Sequence, residues 1–223
     1  MKFKIAIILS VLISFSSVAQ SSLNKLDANG KRTGVWKKYY PNKRVRYTGQ
    51  FLAGKEVGVF KYYSINSSKH PIAIKTFKEN SSIATVKFFT EKGILKSEGQ
   101  MDGKVRTGKW VYYQADGKSL LSFESYKNGL LNGESITYYP NGKTAEIVHY
   151  KNKKLHGSVK RFTKKGTVLD DVNYVEGKLN GYAKFYNEKG DLIYEGTYEN
   201  DEKLDDWFFY IDGEPSKKGN QGQ

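Results

Sequence analysis

From Gly34 to Asp205 the chain returns to one short pattern: a glycine, an aromatic two residues on, an aromatic pair, then a second glycine. Gly108-Lys-Trp-Val-Tyr-Tyr-Gln-Ala-Asp-Gly117 is its clearest copy. The copies start at Gly34, Gly58, Ala84, Gly108, Gly133, Gly157, Gly181 and Asp205, in steps of 24, 26, 24, 25, 24, 24 and 24 residues. A fixed period of this size defines a repeat architecture, in which each unit packs on its neighbours.

The unit reads as a β-hairpin. Val45, Tyr47, Gly49 and Phe51 alternate, as a half-buried strand requires. Gly93, Gly117, Gly142, Gly166 and Gly190 stand nine residues after the starts, and Gly54, Gly103, Gly129 and Gly177 precede the next ones. Glycine there supplies the positive φ of tight turns. A third set, Gly49, Gly99 and Gly196, lies inside strands, where a glycine often marks close approach by another group. An aromatic ring from the neighbouring hairpin is expected over each.

The fold class expected is all-β: an elongated, single-layer antiparallel sheet of seven to eight tandem hairpins of about 24 residues. Residues 1–19 read as a signal peptide, 20–28 as a lead-in, 29–213 as the repeat array and 214–223 as a disordered tail. Lys2 and Lys4, the apolar run Ile5 to Phe15, and Ser17-Val18-Ala19 make the signal segment. The run is short for a membrane anchor, so cleavage after Ala19 and export are expected, to the periplasm or beyond. No later stretch is apolar enough to span a bilayer.

The second repeat departs from the pattern. Ser64 to Pro71 and Asn80-Ser81-Ser82 replace its glycine turns, so a bulged or bent hairpin is expected from Ser64 to Ala84, through drift or for a function. Asp206 to Tyr210 reads as a last strand without a complete partner.

Motifs for chemistry are sparse. There is no cysteine, and the three histidines, His70, His149 and His156, are not brought together by the pattern. Asp170-Asp171 and Asp205-Asp206 are adjacent on strands, so each pair points to opposite faces. Neither catalytic residues, nor a metal site, nor a cofactor is expected. The rows Trp36, Phe60, Val86, Trp110 and Tyr39, Tyr62, Phe88, Tyr112 form either the core or a binding platform. Packing over glycines favours the core.

Charge is the one uneven feature. The chain carries 37 basic and 23 acidic residues. Residues 20–120 hold 20 basic and 7 acidic ones, a net +13, and residues 121–223 hold 15 and 16, a net −1. The densest cluster, Lys37, Lys38, Lys43, Arg44 and Arg46 with Lys31 and Arg32 beside it, suits an anionic partner: lipid head groups, an acidic polysaccharide or an acidic protein. A solvated face serving solubility fits the same charge. Arg44 and Arg46 are expected on one face. Export argues against nucleic acid as the natural partner.

Gly108-Lys-Trp-Val-Tyr-Tyr, Gly117, Tyr126-Lys-Asn-Gly129 and Asn132-Gly133 together resemble the MORN-variant repeat, as do Gly181-Tyr-Ala-Lys-Phe-Tyr, Asn187-Glu-Lys-Gly190 and Tyr198-Glu-Asn. The likeness extends over residues 29–213. It implies a β-hairpin rod with a binding role, and brings two associations: protein scaffolding or membrane attachment, and an antitoxin-like label common among bacterial proteins of this kind. The choline- and glucan-binding cell-wall repeat is also an aromatic hairpin, but shorter and richer in tryptophan than a chain with Trp36, Trp110 and Trp207 alone.

Overall fold

A computed structural model describes residues 23–78, 81–211 and 213–217. The expected signal segment and the residues from Lys218 lie outside them. The described residues form no helix; they make one open antiparallel sheet of 19 strands, each main strand paired with its neighbours in sequence. Each repeat is one hairpin: Arg32–Tyr39 with Val45–Leu52, Val105–Tyr113 with Leu120–Lys127, Lys154–Phe162 with Val168–Val175, and so on to a total of eight.

Two kinds of turn alternate along the chain. Between repeats, two-residue turns such as Ala53-Gly54, Asn128-Gly129 and Glu176-Gly177 hold both residues at positive φ. This is the type I′ geometry, whose twist matches that of the strands it joins. Within a hairpin the turn is longer and ends on one left-handed residue: Gly93, Gly117, Gly142, Gly166 or Gly190, and Lys43 in the first repeat. In each of these the chain folds back through a backbone pair such as Gly142 N to Tyr139 O and Tyr139 N to Lys143 O.

A third left-handed position sits at the opening glycine of the repeats. Gly34, Gly58, Gly108, Gly133, Gly157 and Gly181 hold φ between 65° and 108°. Where Gly58, Gly108, Gly133 and Gly157 pair with the preceding strand, the register slips, for example between Thr48 and Gln50 and between Val148 and Tyr150. The repeat therefore opens on a β-bulge, which the periodic glycine marked but which a plain hairpin reading did not include.

The core lies on one face. Phe60, Val86, Trp110, Val148, Val159, Val172 and Ala183 are buried along a single line across the sheet. Phe60 packs on Phe51 and Phe77, and the rest falls into two clusters, one around Ala84, Val86 and Trp110 and one around Val148, Val159, Val172 and Ala183. Between them the same line carries Glu124 and Ser135, which are paired with each other's strands and are not buried.

Three expectations are corrected or extended. The last strand does not lack a partner: Phe208–Ile211 pairs with Glu214–Lys217, which also makes a strand of the first residues of the expected disordered tail. Backbone pairing on the exposed end of a sheet suffices, even for a polar segment. Lys25–Leu26, in the expected lead-in, pairs with Arg32 and Thr33. Tyr39 does not continue the row of Tyr62, Phe88 and Tyr112. The first repeat has its aromatic pair one residue later, so Lys38 takes that place, opposite Tyr47, and Tyr39 is 48% exposed.

The second repeat pairs Lys55–Tyr62 with Ala73–Phe77 around the long connection 63–72. That connection is held from both sides. Tyr40 donates to Tyr63 O and Asn42 to Ile65 O, and Arg44 donates to the carbonyls of Ile65 and Asn66. From the following hairpin, Glu91 accepts from Ser64 and Asn66. The regular repeats use the same device: Tyr139 donates to Phe162 O and Asn141 to Lys164 O, 23 residues away.

Candidate functional site

The strand-interior glycines are where the rings go. A β-carbon on Gly49 would stand 2.3 Å from the Phe60 ring, on Gly99 2.4 Å from Trp110, and on Gly196 2.5 Å from Trp207. Each ring lies on the backbone of the preceding hairpin, as expected. Each of the three tryptophans also has over its ring a cation from four residues earlier in the chain. The Arg106 guanidinium lies 4.6 Å from the Trp110 ring centre, Arg32 lies 5.2 Å from Trp36, and the Lys203 amine lies 4.0 Å from Trp207. A cation over an indole face is attracted by the ring quadrupole.

This basic-x-x-x-Trp spacing stands in the sequence at Arg32, Arg106 and Lys203, and reading the aromatics alone misses it. Where the middle residue is small, the place of the cation is taken by leucine. Leu131, Leu155 and Leu179 precede Ser135, Val159 and Ala183 by the same four residues. Leu155 and Leu179 pack on the second core cluster.

Around Trp110 the cover is a hydrogen-bonded network. Arg106 Nη1 donates to the Tyr112 hydroxyl at 2.8 Å and to that of Tyr126 at 3.1 Å, and Tyr126 donates to Glu124 at 2.6 Å. Burial, then the hydrogen bond with Tyr126, raises the Tyr112 pKa well above the usual phenol value. The indole N–H donates to Gln100 O. Trp110 is fully buried, so this part of the row is core and offers no open stacking surface.

The five candidate basic residues lie around one end of the sheet rather than on one face. Lys37 is opposite Thr48 and Lys38 opposite Tyr47, on the two sides of the sheet. Lys43 and Arg44 belong to the turn, where the Arg44 side chain holds the 63–72 connection. Arg46 lies 5.8 Å from the Tyr40 ring and the Lys37 amine 5.4 Å from Tyr39. Among the described residues, no carboxylate lies within 4.0 Å of any of the five cations, whereas Lys154, Lys160, Arg161 and Lys184 of the second half are all ion-paired.

The acidic pair Asp170-Asp171 divides between the two faces. Asp170 is buried against Arg161 at 2.8 Å and Asp171 meets Lys160 at 2.8 Å. The histidines remain separate. His149 Nδ1 lies 2.8 Å from Ser158 O, His156 meets Glu176, and His70 packs beside Gly93. Among the described residues, no group of three His, Cys, Asp or Glu side chains could hold a metal ion. No helix among them is long and apolar enough to cross a membrane.

Bulged hairpins, rings laid over glycines and cations laid over the rings define a β-hairpin repeat protein. The MORN repeat variant matches residues 32–53, 131–152 and 179–200, so the chain carries that repeat at three positions. Each match runs from two residues before an opening glycine to the first residue of the following turn between repeats. No curated protein matches the chain. Two solved structures are similar to it, "Crystal Structure of TcdB2-TccC3-Cdc42" and "Crystal Structure of TcdB2-TccC3". Each has 11% identity over 84% of this chain, with TM-scores of 0.25 and 0.24. The chain spans 13% of the length of those chains, and a likeness at that score carries no argument.

Proposed function

We propose that the chain is an exported, non-enzymatic interaction scaffold whose basic end docks on an anionic component of the cell envelope. The observation that carries this reading is the density of five cations around the first hairpin, none of which has a carboxylate within 4.0 Å among the described residues. None of the five gives up a carboxylate partner on meeting an anion, and each basic residue adds about 1 kcal/mol near an anionic lipid surface. The repeat architecture supports the scaffold role, because stacked hairpins present long faces and no enclosed site. Covered tryptophans support packing as their role over sugar stacking. Export rests on the signal segment Met1 to Ala19, and an antitoxin role rests on the family resemblance alone.

The test compares Lys37→Glu with Arg46→Glu against a control, Lys164→Glu with Lys165→Glu, on anionic lipid vesicles and on anionic polysaccharide beads. Arg44 is left in place because it holds the 63–72 connection. Binding at low salt that weakens as salt rises, and is lost more in the first variant, supports docking; the Debye length falls from about 10 Å at 0.1 M to about 3 Å at 1 M. Equal loss in both variants, or no binding by the unaltered chain, assigns the charge to solubility.

A further inference from the structure

At the centre of the sheet the core row turns polar and an apolar row stands on the opposite face. On strands Leu120–Lys127 and Leu130–Tyr138 the packed face carries Ser122, Glu124, Ser135 and Thr137, with Tyr126 and Leu131 at one end. The opposite face carries Val111, Phe123, Ile136 and Ile147, paired in that order across four consecutive strands. Strand Leu130–Tyr138 has no buried residue at all. The quartet is half-buried, with the Lys109 amine 3.5 Å from the centre of the Phe123 ring.

The same cross-strand row continues on both sides of the quartet. On one side Val111 is paired with Glu98, and Glu98 with Lys87; on the other Ile147 is paired with Lys160, and Lys160 with Asp171. Lys87 and Glu98 form an ion pair at 2.9 Å, and Lys160 and Asp171 one at 2.8 Å. Read outward from the centre, one arm runs Glu then Lys, and the other runs Lys then Asp. The row is therefore charge-complementary to its own reverse.

We propose that this face is the contact between two copies of the chain, related by a two-fold axis parallel to the strands and passing between Phe123 and Ile136. Such an axis reverses the row. Phe123 of one copy meets Ile136 of the other, and Val111 meets Ile147. Glu98 comes opposite Lys160, and Lys87 opposite Asp171. A two-fold interface requires one self-complementary patch, and this row supplies it in both shape class and charge. Two sheets packed face to face also bury the apolar quartet that a single layer leaves half open. The two basic ends then stand at opposite ends of the dimer.

Sedimentation of the chain from Gln20, which carries every described strand, tests this over a concentration series. The unaltered chain shifts to dimer as concentration rises. Exchanging one ion pair, Lys87→Glu with Glu98→Lys, keeps the pair within the chain but sets like charges across the axis. It weakens the dimer by roughly tenfold or more. Exchanging the second pair as well, Lys160→Asp with Asp171→Lys, restores it. Should the fourfold variant lose the circular dichroism of a sheet, Ile136→Lys, at a half-buried position, decides by itself: it abolishes the dimer. A chain that stays monomeric at every concentration overturns the proposal and leaves the face to a different partner. So does a fourfold variant that keeps its sheet spectrum yet dissociates as the twofold one does, or an Ile136→Lys chain that still dimerises.

Discussion

The indole of Trp110 lies against the backbone of Gly99 on the adjacent strand, so close that a β-carbon there would stand 2.4 Å from the ring. The space is filled by an aromatic ring, itself held by Arg106 and an N–H bond to Gln100, so neither side can yield easily. Gly99→Ala is expected to destabilise by about 1–3 kcal/mol, the range for overpacking. Gly142, by contrast, is left-handed but has nothing within 4 Å of its β-position. Gly142→Asn is expected to be close to neutral, since asparagine tolerates that conformation and holds it here at Asn128. Urea midpoints of the two variants measure the contrast. Equal midpoints would mean that ring contact is not what makes Gly99 a glycine.

Arg106 is expected to matter through what it covers. Its removal exposes one face of a buried indole and leaves two tyrosine hydroxyls without their charged donor. Arg106→Ala should cost about 1–3 kcal/mol, the scale of a hydrogen bond to a charged group. It should also shift tryptophan emission to longer wavelength. Arg106→Leu copies the residue that stands at this place in three other repeats, and should recover part of the stability while leaving the hydroxyls unpaired. If the leucine variant is no more stable than the alanine one, the cover acts through charge and not through packing.

The pH dependence has two limits set by one contact. The Tyr113 hydroxyl, then Lys87, holds the Glu98 carboxyl below the usual carboxylate range. A depressed folded pKa gives stability that is present above the unfolded carboxylate value of about 4.3, and that is lost as pH falls through the folded value. Seen from the other partner, the bond to Glu98 pushes Tyr113 up to about 12. That contribution is present below the unfolded phenol value of about 10 and is lost as pH rises through about 12. Tyr113→Phe should move the Glu98 titration upward, followed by NMR of the side-chain carboxyl. An unchanged titration would mean that Lys87 alone sets it.

Much of this was legible in the sequence because a repeat prints each structural demand several times. The period gave hairpins, and Gly49, Gly99 and Gly196 announced the rings above them. The bulge was harder. Gly34 and its successors recur as faithfully as the turn glycines, but a positive φ inside a strand leaves the same single-letter trace as one in a turn. The cations over Trp36, Trp110 and Trp207 carry a spacing of four, which alternation places on one face but does not single out from any other even spacing. Two features arise only from the pairing of the strands. Tyr39 left its row through a one-residue shift in the first repeat. The apolar row on the opposite face at Phe123 and Ile136 shows only once the cross-strand register is known, because each strand alone alternates normally.

Pairing of every strand with its immediate neighbours has a consequence for how such a chain changes length. No connection crosses another and nothing closes on itself, so a hairpin can be added or removed without breaking any pairing beyond the two it separates. One such unit, two strands wide, moves the ends apart by about 10 Å. The chain is thus a ruler graduated in hairpins: duplication or deletion of one 24-residue segment resets the distance between whatever its two ends hold, and leaves the stitching at each end intact.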